Sequence, residues 1–345
     1  MKYPHTGLYH FCHHLGNAIK ATSLENGHAL SFFTPPSVKG VFGSDVPYIT
    51  QKKWHKFLMP NLTDFDLWHG TFQGTQYYPS SPKIKKVLTV HDLNFLYDDR
   101  KQDFKRARAL KRLQQKIDRS DAVVAISEYV MRDLHEHLNM RNTNAKVIYN
   151  GCNFNQSVES EAPAKQPNAP FLYTIGTITD KKNFHVLPAL LKGYDGMLVI
   201  SGITQNETYK QRILDEAKKH GVQDRVLFTG PITEGEKKWY MQQCEVFLFP
   251  SLAEGFGLPV VEAMYLGKPI ILSDRTSLPE IGGDVAFYFE YFDPDHMVQI
   301  LENCLYELNK DNRRERIIER AHFFNWSNAA FSYVDVYQDI FGKKS

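Results

Sequence analysis

The stretch Phe247-Leu248-Phe249-Pro250-Ser251-Leu252-Ala253-Glu254-Gly255-Phe256-Gly257-Leu258-Pro259-Val260-Val261-Glu262-Ala263-Met264 reads as a buried strand, a glycine-bearing loop and a short helix. The apolar run before Pro250 is long enough for a strand and too short for a helix. Gly255 and Gly257 allow backbone conformations that side chains forbid, or a close approach to a ligand. Pro259 suits the first helical position, where its missing N–H costs nothing. Gly267 stands where a helix C-cap glycine belongs, with Pro269 just beyond, so the helix is expected to run from Pro259 to Leu266.

A helix N-terminus over such a loop suits an anion. The amides around Phe256 to Val260 and the positive end of the helix dipole together favour a phosphate. Glu254 in the loop and Glu262 in the helix, with seven residues between them, would repel a phosphate lying beside them. Each carboxylate is better matched to neutral hydroxyls. A nucleotide sugar has phosphates flanked by polyhydroxyl groups on both sides. Glu262 is therefore assigned to the ribose hydroxyls and Glu254 to those of the sugar. The alternative is an ordinary first-turn helix acid at Glu262 and a solvated loop residue at Glu254.

This Pro-Ser-x-x-Glu-Gly-Phe-Gly-Leu-Pro-x-x-Glu-Ala-Met context resembles the signature of the retaining glycosyltransferases of family four, the glycosyl transferases group 1. The resemblance implies an α/β protein of the GT-B fold, two Rossmann-like domains facing each other across a cleft. Donor contacts are then expected from Glu254, Gly255, Phe256, Gly257, Leu258 and Glu262.

Length and composition agree with such a chain. Its 345 residues suffice for two α/β domains, 42% are hydrophobic, and the net charge of +2 gives no case for nucleic acid as a partner. The four cysteines, Cys12, Cys152, Cys244 and Cys304, form no metal-ligand spacing and read as reduced thiols of a cytoplasmic protein. No apolar run reaches about 18 residues, and no signal peptide is read at the N-terminus.

Family members open with an apolar strand, whereas this chain starts at Lys2-Tyr3-Pro4-His5-Thr6-Gly7, almost in the loop. The first strand is therefore expected to be absent. Thr6-Gly7-Leu8-Tyr9 resembles the family's glycine turn near the donor phosphates, which makes Gly7 a donor-site residue. A helix follows, with Leu8, Phe11, Cys12, Leu15 and Ile19 on one apolar face. His10, His13 and His14 on that helix read as polar or cleft-edge residues rather than metal ligands.

Strands are expected at 29–33, 66–70, 86–93, 122–128 and 146–151. Polar residues fall at their carboxyl ends, where open parallel sheets bind ligands. The resemblance makes His91, in a strand-end His-Asp, a catalytic residue contacting the transferred sugar. The alternative is that it holds its loop through a backbone hydrogen bond. Ser127 and Asn150-Gly151 also match family positions, and Ser127 equally suits a helix cap.

Two basic stretches stand out. Arg100 to Arg119 is dense in lysine and arginine, and Lys52-Lys53-Trp54-His55-Lys56-Phe57 interleaves bases with aromatics. They read either as solvated faces or as a surface for anionic lipid headgroups or a lipid-linked acceptor. Peripheral attachment to the inner face of a membrane is expected from the second reading.

Asn153 to Pro170, aperiodic and rich in Ser, Glu, Ala, Asn and Pro, marks the domain boundary. The N-terminal, acceptor-side domain is placed at 1–155 and the donor domain at 165–325, with the helix 326–345 crossing back. In the donor domain Phe171–Gly176 is a strand. The family places an arginine after that glycine and a lysine five residues later, both on donor phosphates. Lys182 matches the lysine, and Thr177 stands in place of the arginine. Strands at 197–202, 225–231 and 269–273 follow, with Gly230-Pro231 expected to meet the base.

The resemblance implies transfer of a hexose, with mannose as a family-level expectation, from a nucleotide diphosphate sugar to a saccharide or lipid-linked acceptor. Retention, no bound metal and no cofactor are expected, and no Asp-x-Asp motif argues otherwise. Lys182 and the helix start at Pro259 would stabilise the leaving diphosphate, while Glu254 would bind the sugar and steady positive charge. The alternatives are a nucleotide-sugar 2-epimerase of the same fold and a non-catalytic sugar-nucleotide-binding subunit. A NAD-dependent dehydrogenase would need a Gly-x-Gly-x-x-Gly after a strand with an acid about 20 residues on, and none is read here.

Overall fold

The computed structural model describes residues 6–25, 27–97, 102–141, 143–154, 158–307 and 312–342. The chain divides into two compact units, Met1–Asn153 with Phe324–Ser345, and Phe154–Phe323.

In the first unit, helix α1 (Gly7–Glu25) buries Phe11, Leu15 and Ile19, the stripe its periodicity predicts. Lys2 to His5 lie outside the described residues. Strands β1 (Phe32–Thr34) and β2 (Tyr48–Thr50) form a parallel pair. Strands β3 (Leu67–Gly70), β4 (Lys85–Val90), β5 (Ala122–Ala125) and β6 (Ala145–Val147) form a second, four-stranded sheet in that order, all parallel. Helix α2 (Asp103–Ile117) joins β4 to β5, and α3 (Glu128–His137) joins β5 to β6. Val87, Leu88 and Val90 of β4 and all of β5 are buried, as continuous apolar runs are when both sheet faces are covered. The strand expected over 86–93 stops at Val90, which leaves His91 and Asp92 in the following loop. Ser127 caps α3, its Oγ accepting from the Val130 N–H at 3.2 Å.

The second unit carries one parallel sheet. Its strands are β7 (Phe171–Ile175), β8 (Met197–Ser201), β9 (Val226–Gly230), β10 (Val246–Phe249), β11 (Ile270–Ser273) and β12 (Phe287–Phe289), in the order β12-β11-β10-β7-β8-β9. Helices α4 (Glu207–Lys219), α5 (Glu234–Gln243), α6 (Leu258–Tyr265), α7 (Leu278–Gly282), α8 (Pro294–Glu307) and α9 (Arg313–His322) connect or follow them. Between β7 and β8 the chain runs as a 3-10 helix, Phe184–Lys192, rather than an α-helix. Pro188 inside it offers no N–H for an α-helical bond. Leu172, Leu198, Ile200, Leu248 and Ile271 pack with Phe184, Leu187, Ile213 and Leu301 in one core.

The aperiodic stretch before β7 is tied down where it is described. The Glu161 N–H donates to the Gly235 carbonyl at 3.1 Å, and Lys238 Nζ to the Val158 carbonyl at 2.6 Å. It belongs to the second unit and is not a free linker; residues 155–157 lie outside the described residues. Helix α10 (Trp326–Asp339) belongs to the first unit, where Trp326 meets Phe11 and stacks on His14.

Candidate active site

In the second unit β7 and β10 are neighbours, yet the chain leaves them in opposite directions. It winds through β8 and β9 on one side and through β11 and β12 on the other. Such a switch point opens a crevice between the loops at the strands' carboxyl ends, where doubly wound sheets bind ligands. One loop, Gly176–Asn183, follows β7 and carries Thr177 and Lys182; the other, Pro250–Gly257, follows β10 and carries Glu254. The Leu252 N–H donates to the Lys181 carbonyl at 2.8 Å, which joins the two loops.

Lys182 and Glu254 meet there in a direct hydrogen-bonded ion pair, with the two side chains 12% and 13% exposed. Lys182 Nζ also lies 4.6 Å from the centre of the Phe249 ring. Burial pushes the ammonium down from its ordinary value, with the Glu254 charge opposing it. Burial alone would raise the Glu254 carboxyl, but the charges of Lys182 and Lys181 outweigh it and hold it below the usual carboxylate range. Lys182, expected as a phosphate ligand, and Glu254, expected as a separate sugar ligand, are each other's partner in this structure.

Helix α6 starts one residue earlier than expected, at Leu258, with Pro259 second. Gly257 before it takes φ 97°, open to glycine at little cost. The Val260 N–H, expected to be available to a ligand, donates to the Gly257 carbonyl at 2.9 Å. At the other end Gly267 has φ 68°, and the N–H groups of Gly267 and Lys268 donate to Met264 and Ala263. This is a Schellman cap, in line with the C-cap glycine read from the sequence.

Because α6 is buried nearly all round, Glu262 is only 1% exposed. Its Oε1 accepts from Lys237 Nζ of α5 at 3.0 Å, and Lys237 also pairs with Glu234 at 2.7 Å. Burial would lower the Lys237 ammonium; Glu262 and Glu234 outweigh it and raise it. Glu262 is thus neither a solvated helix acid nor, in this structure, a carboxylate awaiting only hydroxyls. Sequence reasoning missed Lys237. Its signal was position: Lys237, Tyr240 and Met241 share one buried face of α5.

Gly230 ends β9 with φ 80°, and its carbonyl accepts from the Gly202 N–H at 2.9 Å; Pro231 beyond it is exposed. Thr177 is half-buried, its carbonyl accepting from Thr179 Oγ1 at 3.4 Å. Gly255, Phe256 and Gly257 are buried, while Leu258 is half-buried.

In the first unit Gly7 opens α1, exposed, with nothing within 4 Å of an added Cβ, so no close packing demands a glycine there. His91 Nε2 lies 2.8 Å from the Thr71 carbonyl, which can only accept, so the proton sits on Nε2 and Nδ1 is the acceptor. The His91 N–H donates to Gln73 Oε1 at 3.0 Å, and Phe11 stands edge-on at 4.4 Å. Burial lowers the imidazole pKa against the Thr71 hydrogen bond and Asp92, so the ring is held neutral. The loop-holding alternative for His91 is therefore what its side chain does here. Behind it His69 bridges Thr89 Oγ1 and Tyr337 OH, each at 2.8 Å, and Thr89 meets Tyr333 OH at 2.9 Å. Burial lowers His69 to about 3.

The basic stretches divide into anchored and outward-facing residues. Lys116 Nζ donates to the Thr75 carbonyl at 2.6 Å and Arg119 to the Pro79 carbonyl at 2.7 Å, so both serve the fold. Lys105, Arg108, Lys111 and Arg112 face outward; Arg100 and Lys101 lie outside the described residues. In the short 3-10 turn Lys53–Lys56, His55 is buried while Trp54 is 49% and the following Phe57 93% exposed.

Two Asp-x-Asp tripeptides do occur, which corrects the reading that passed over them. Asp64–Asp66 precedes β3, at the sheet edge opposite the ligand-binding ends. Asp293–Asp295 opens α8, where Asp293 Oδ1 accepts from the N–H groups of Asp295 and His296. Among the described residues, the group of three with ligand atoms within 4.8 Å of one another is Asp133, Glu136 and His137 on α3, and it includes neither tripeptide. None of the described helices is long and apolar enough to cross a membrane.

Parallel-sheet units with a charged crevice at a switch point define an α/β protein of the Rossmann-like class. Residues 155–322 match the family described as Glycosyl transferases group 1, and residues 11–156 match Glycosyltransferase Family 4. The chain belongs to this glycosyltransferase family. It is 24% identical to O-antigen chain mannosyltransferase B of Escherichia coli, over 77% of this chain and 74% of that one. It is 26% identical to Serotype-specific mannosyltransferase WbdA of the same species over 73% of this chain, which spans only 33% of that longer protein. Anabaena HepE in complex with UDP superposes with a TM-score of 0.75 at 16% identity, over 98% of both chains. Sucrose-phosphate synthase from Thermosynechococcus elongatus gives 0.73 at 19% identity, over 95% and 92%. The fold is of the GT-B class.

Proposed function

We propose that the protein is a retaining, metal-independent glycosyltransferase. It moves a hexose from a nucleotide diphosphate sugar to a hydroxyl of a saccharide or lipid-linked saccharide, in the assembly of a bacterial surface polysaccharide. The observation that carries this reading is the meeting of Lys182 and Glu254 at the β7–β10 switch point beside the start of α6. The names of the relatives support mannose as the hexose and an O-antigen as the product. UDP in the HepE structure supports a nucleotide donor.

In this reading the bond from the anomeric carbon to the diphosphate breaks, a bond to the acceptor oxygen forms on the same face, and the acceptor hydroxyl's proton passes to the departing diphosphate oxygen. Charge develops on the departing diphosphate, and Lys182 together with the N-terminus of α6 receives it. Thr177, Gly230, Pro231 and Gly7 line the donor in the same reading. A second cation at Thr177 is missing, so the Lys182–Glu254 pair matters more. The donor phosphate competes with Glu254 for the ammonium, and Glu254, released, turns to the sugar hydroxyls. His91 accepts a hydrogen bond from the transferred sugar through the neutral Nδ1. Glu262 binds the ribose. The protein works in the cytoplasm, with Phe57 and the bases around it resting on an anionic membrane surface.

Binding and hydrolysis across a panel of GDP-, UDP- and ADP-sugars, with and without EDTA, test the reading. Preference for one nucleotide, unaltered by EDTA, with anomeric retention in the product, supports it. Binding of no sugar nucleotide, or activity abolished by EDTA and restored by a divalent cation, overturns the corresponding part.

A further inference from the structure

Three non-glycine residues among those described have a left-handed backbone: Asn183 (φ 57°), Thr276 (φ 55°) and Asn312 (φ 68°). Asparagine tolerates that conformation, but a β-branched residue there is a steric outlier. Such strain persists where the surroundings over-determine it, and it gathers at functional sites. Thr276 sits between β11 and α7, and its Oγ1 accepts a hydrogen bond from the Glu254 N–H at 3.0 Å. The next residue, Ser277, is fully buried and its Oγ donates to the Glu254 carbonyl at 3.0 Å. Both backbone groups of Glu254 are thus held by two consecutive side chains from another loop. The left-handed Asn183 directly follows the other member of the ion pair, Lys182, in sequence.

We propose that Thr276 is a positioning residue for Glu254. Its left-handed backbone is retained because that conformation delivers the hydroxyl to the Glu254 amide, and it fixes the carboxylate for the sugar. The inference rests on the reading of Glu254 as a sugar ligand.

Strain and function make opposite demands, and that separates this role from a merely structural one. Thr276→Gly removes the strain and the hydroxyl together. Its melting temperature is expected to rise by about 2–4 °C. Its turnover, on the sugar nucleotide selected from the GDP-, UDP- and ADP-sugar panel, is expected to fall about 10-fold with donor affinity kept. Deuterium exchange at the Glu254 amide rises in the same variant. Thr276→Asn, which tolerates the backbone and offers a side-chain oxygen, restores most of the turnover. Wild-type turnover in Thr276→Gly overturns the proposal even if exchange rises, and so does a lowered melting temperature with turnover lost in proportion. Glu254→Gln is the control: wild-type turnover there removes the reading of Glu254 itself, whereas a loss there with none in Thr276→Gly removes only the role of Thr276.

Discussion

Lys237 Nζ lies 3.0 Å from Glu262 Oε1, and both side chains are almost withdrawn from solvent. Two charges in such a place are mutually dependent, since neither has water to fall back on. Glu262 is the carboxylate proposed to bind the ribose, and on that proposal nucleotide recognition would depend on Lys237, a lysine 25 residues away in sequence.

Lys237→Met is therefore expected to destabilise the protein by about 3–5 kcal/mol, because it strands a buried carboxylate. Adding Glu262→Leu should recover most of the stability while leaving nucleotide binding lost. Denaturant unfolding and nucleotide titration of both variants check this. Full stability in the single variant would show that Glu262 has another way to hold its charge.

The roles at the switch point separate kinetically. Lys182→Ala is expected to raise the donor KM and to lower turnover about 100-fold. Glu254→Ala should mainly lower turnover, and Glu262→Ala should weaken nucleotide binding by about 1–3 kcal/mol. Steady-state kinetics with the selected donor distinguish the three, and wild-type constants for any one remove it from the site.

His69 gives the first unit an acid-sensitive point. Its imidazole is held at about 3, against an ordinary value of 6.5, so the unfolded chain binds the extra proton more readily. Stability should therefore fall as pH drops from 6.5 toward 3, by up to about 1.4 kcal/mol per pH unit from this group. Above 6.5 the contribution is complete and flat. His69→Phe should be less stable at neutral pH, since Thr89 and Tyr337 each lose a partner, and should show a shallower acid slope. Melting curves across that range measure it, and an unchanged slope would refute the assignment.

The outward-facing aromatics near Lys53 make a different claim. Phe57→Ser should weaken association with anionic vesicles about 10-fold, and the protein should prefer anionic to neutral vesicles. Co-sedimentation decides it; equal partitioning onto both kinds of vesicle sinks the membrane role.

The helix over Glu262 and its glycine stop were legible because capping is local: Pro259, Gly257 and Gly267 write it within a dozen or so residues. The strands of the second unit were legible for the same reason, as short apolar runs between turn residues. The pairings were not. Lys182 and Glu254 are 72 residues apart, and the clamp on Glu254 comes from a loop beyond another strand. Nothing in the neighbourhood of either residue encodes its partner. Helices such as α9, whose buried face is little more than Ile317 and Ala321, carry too thin an apolar stripe to be read closely.

The division of the chain has a consequence for its biosynthesis. Residues 154–323 are continuous and can form a complete unit as soon as they leave the ribosome. The first unit cannot, because α1 and β3 need Trp326, Tyr333 and Tyr337 of α10, which are translated only after the whole second unit. The half made first is thus the half finished last. Until α10 arrives, the faces it covers are open to chaperones, to proteases and to other nascent chains.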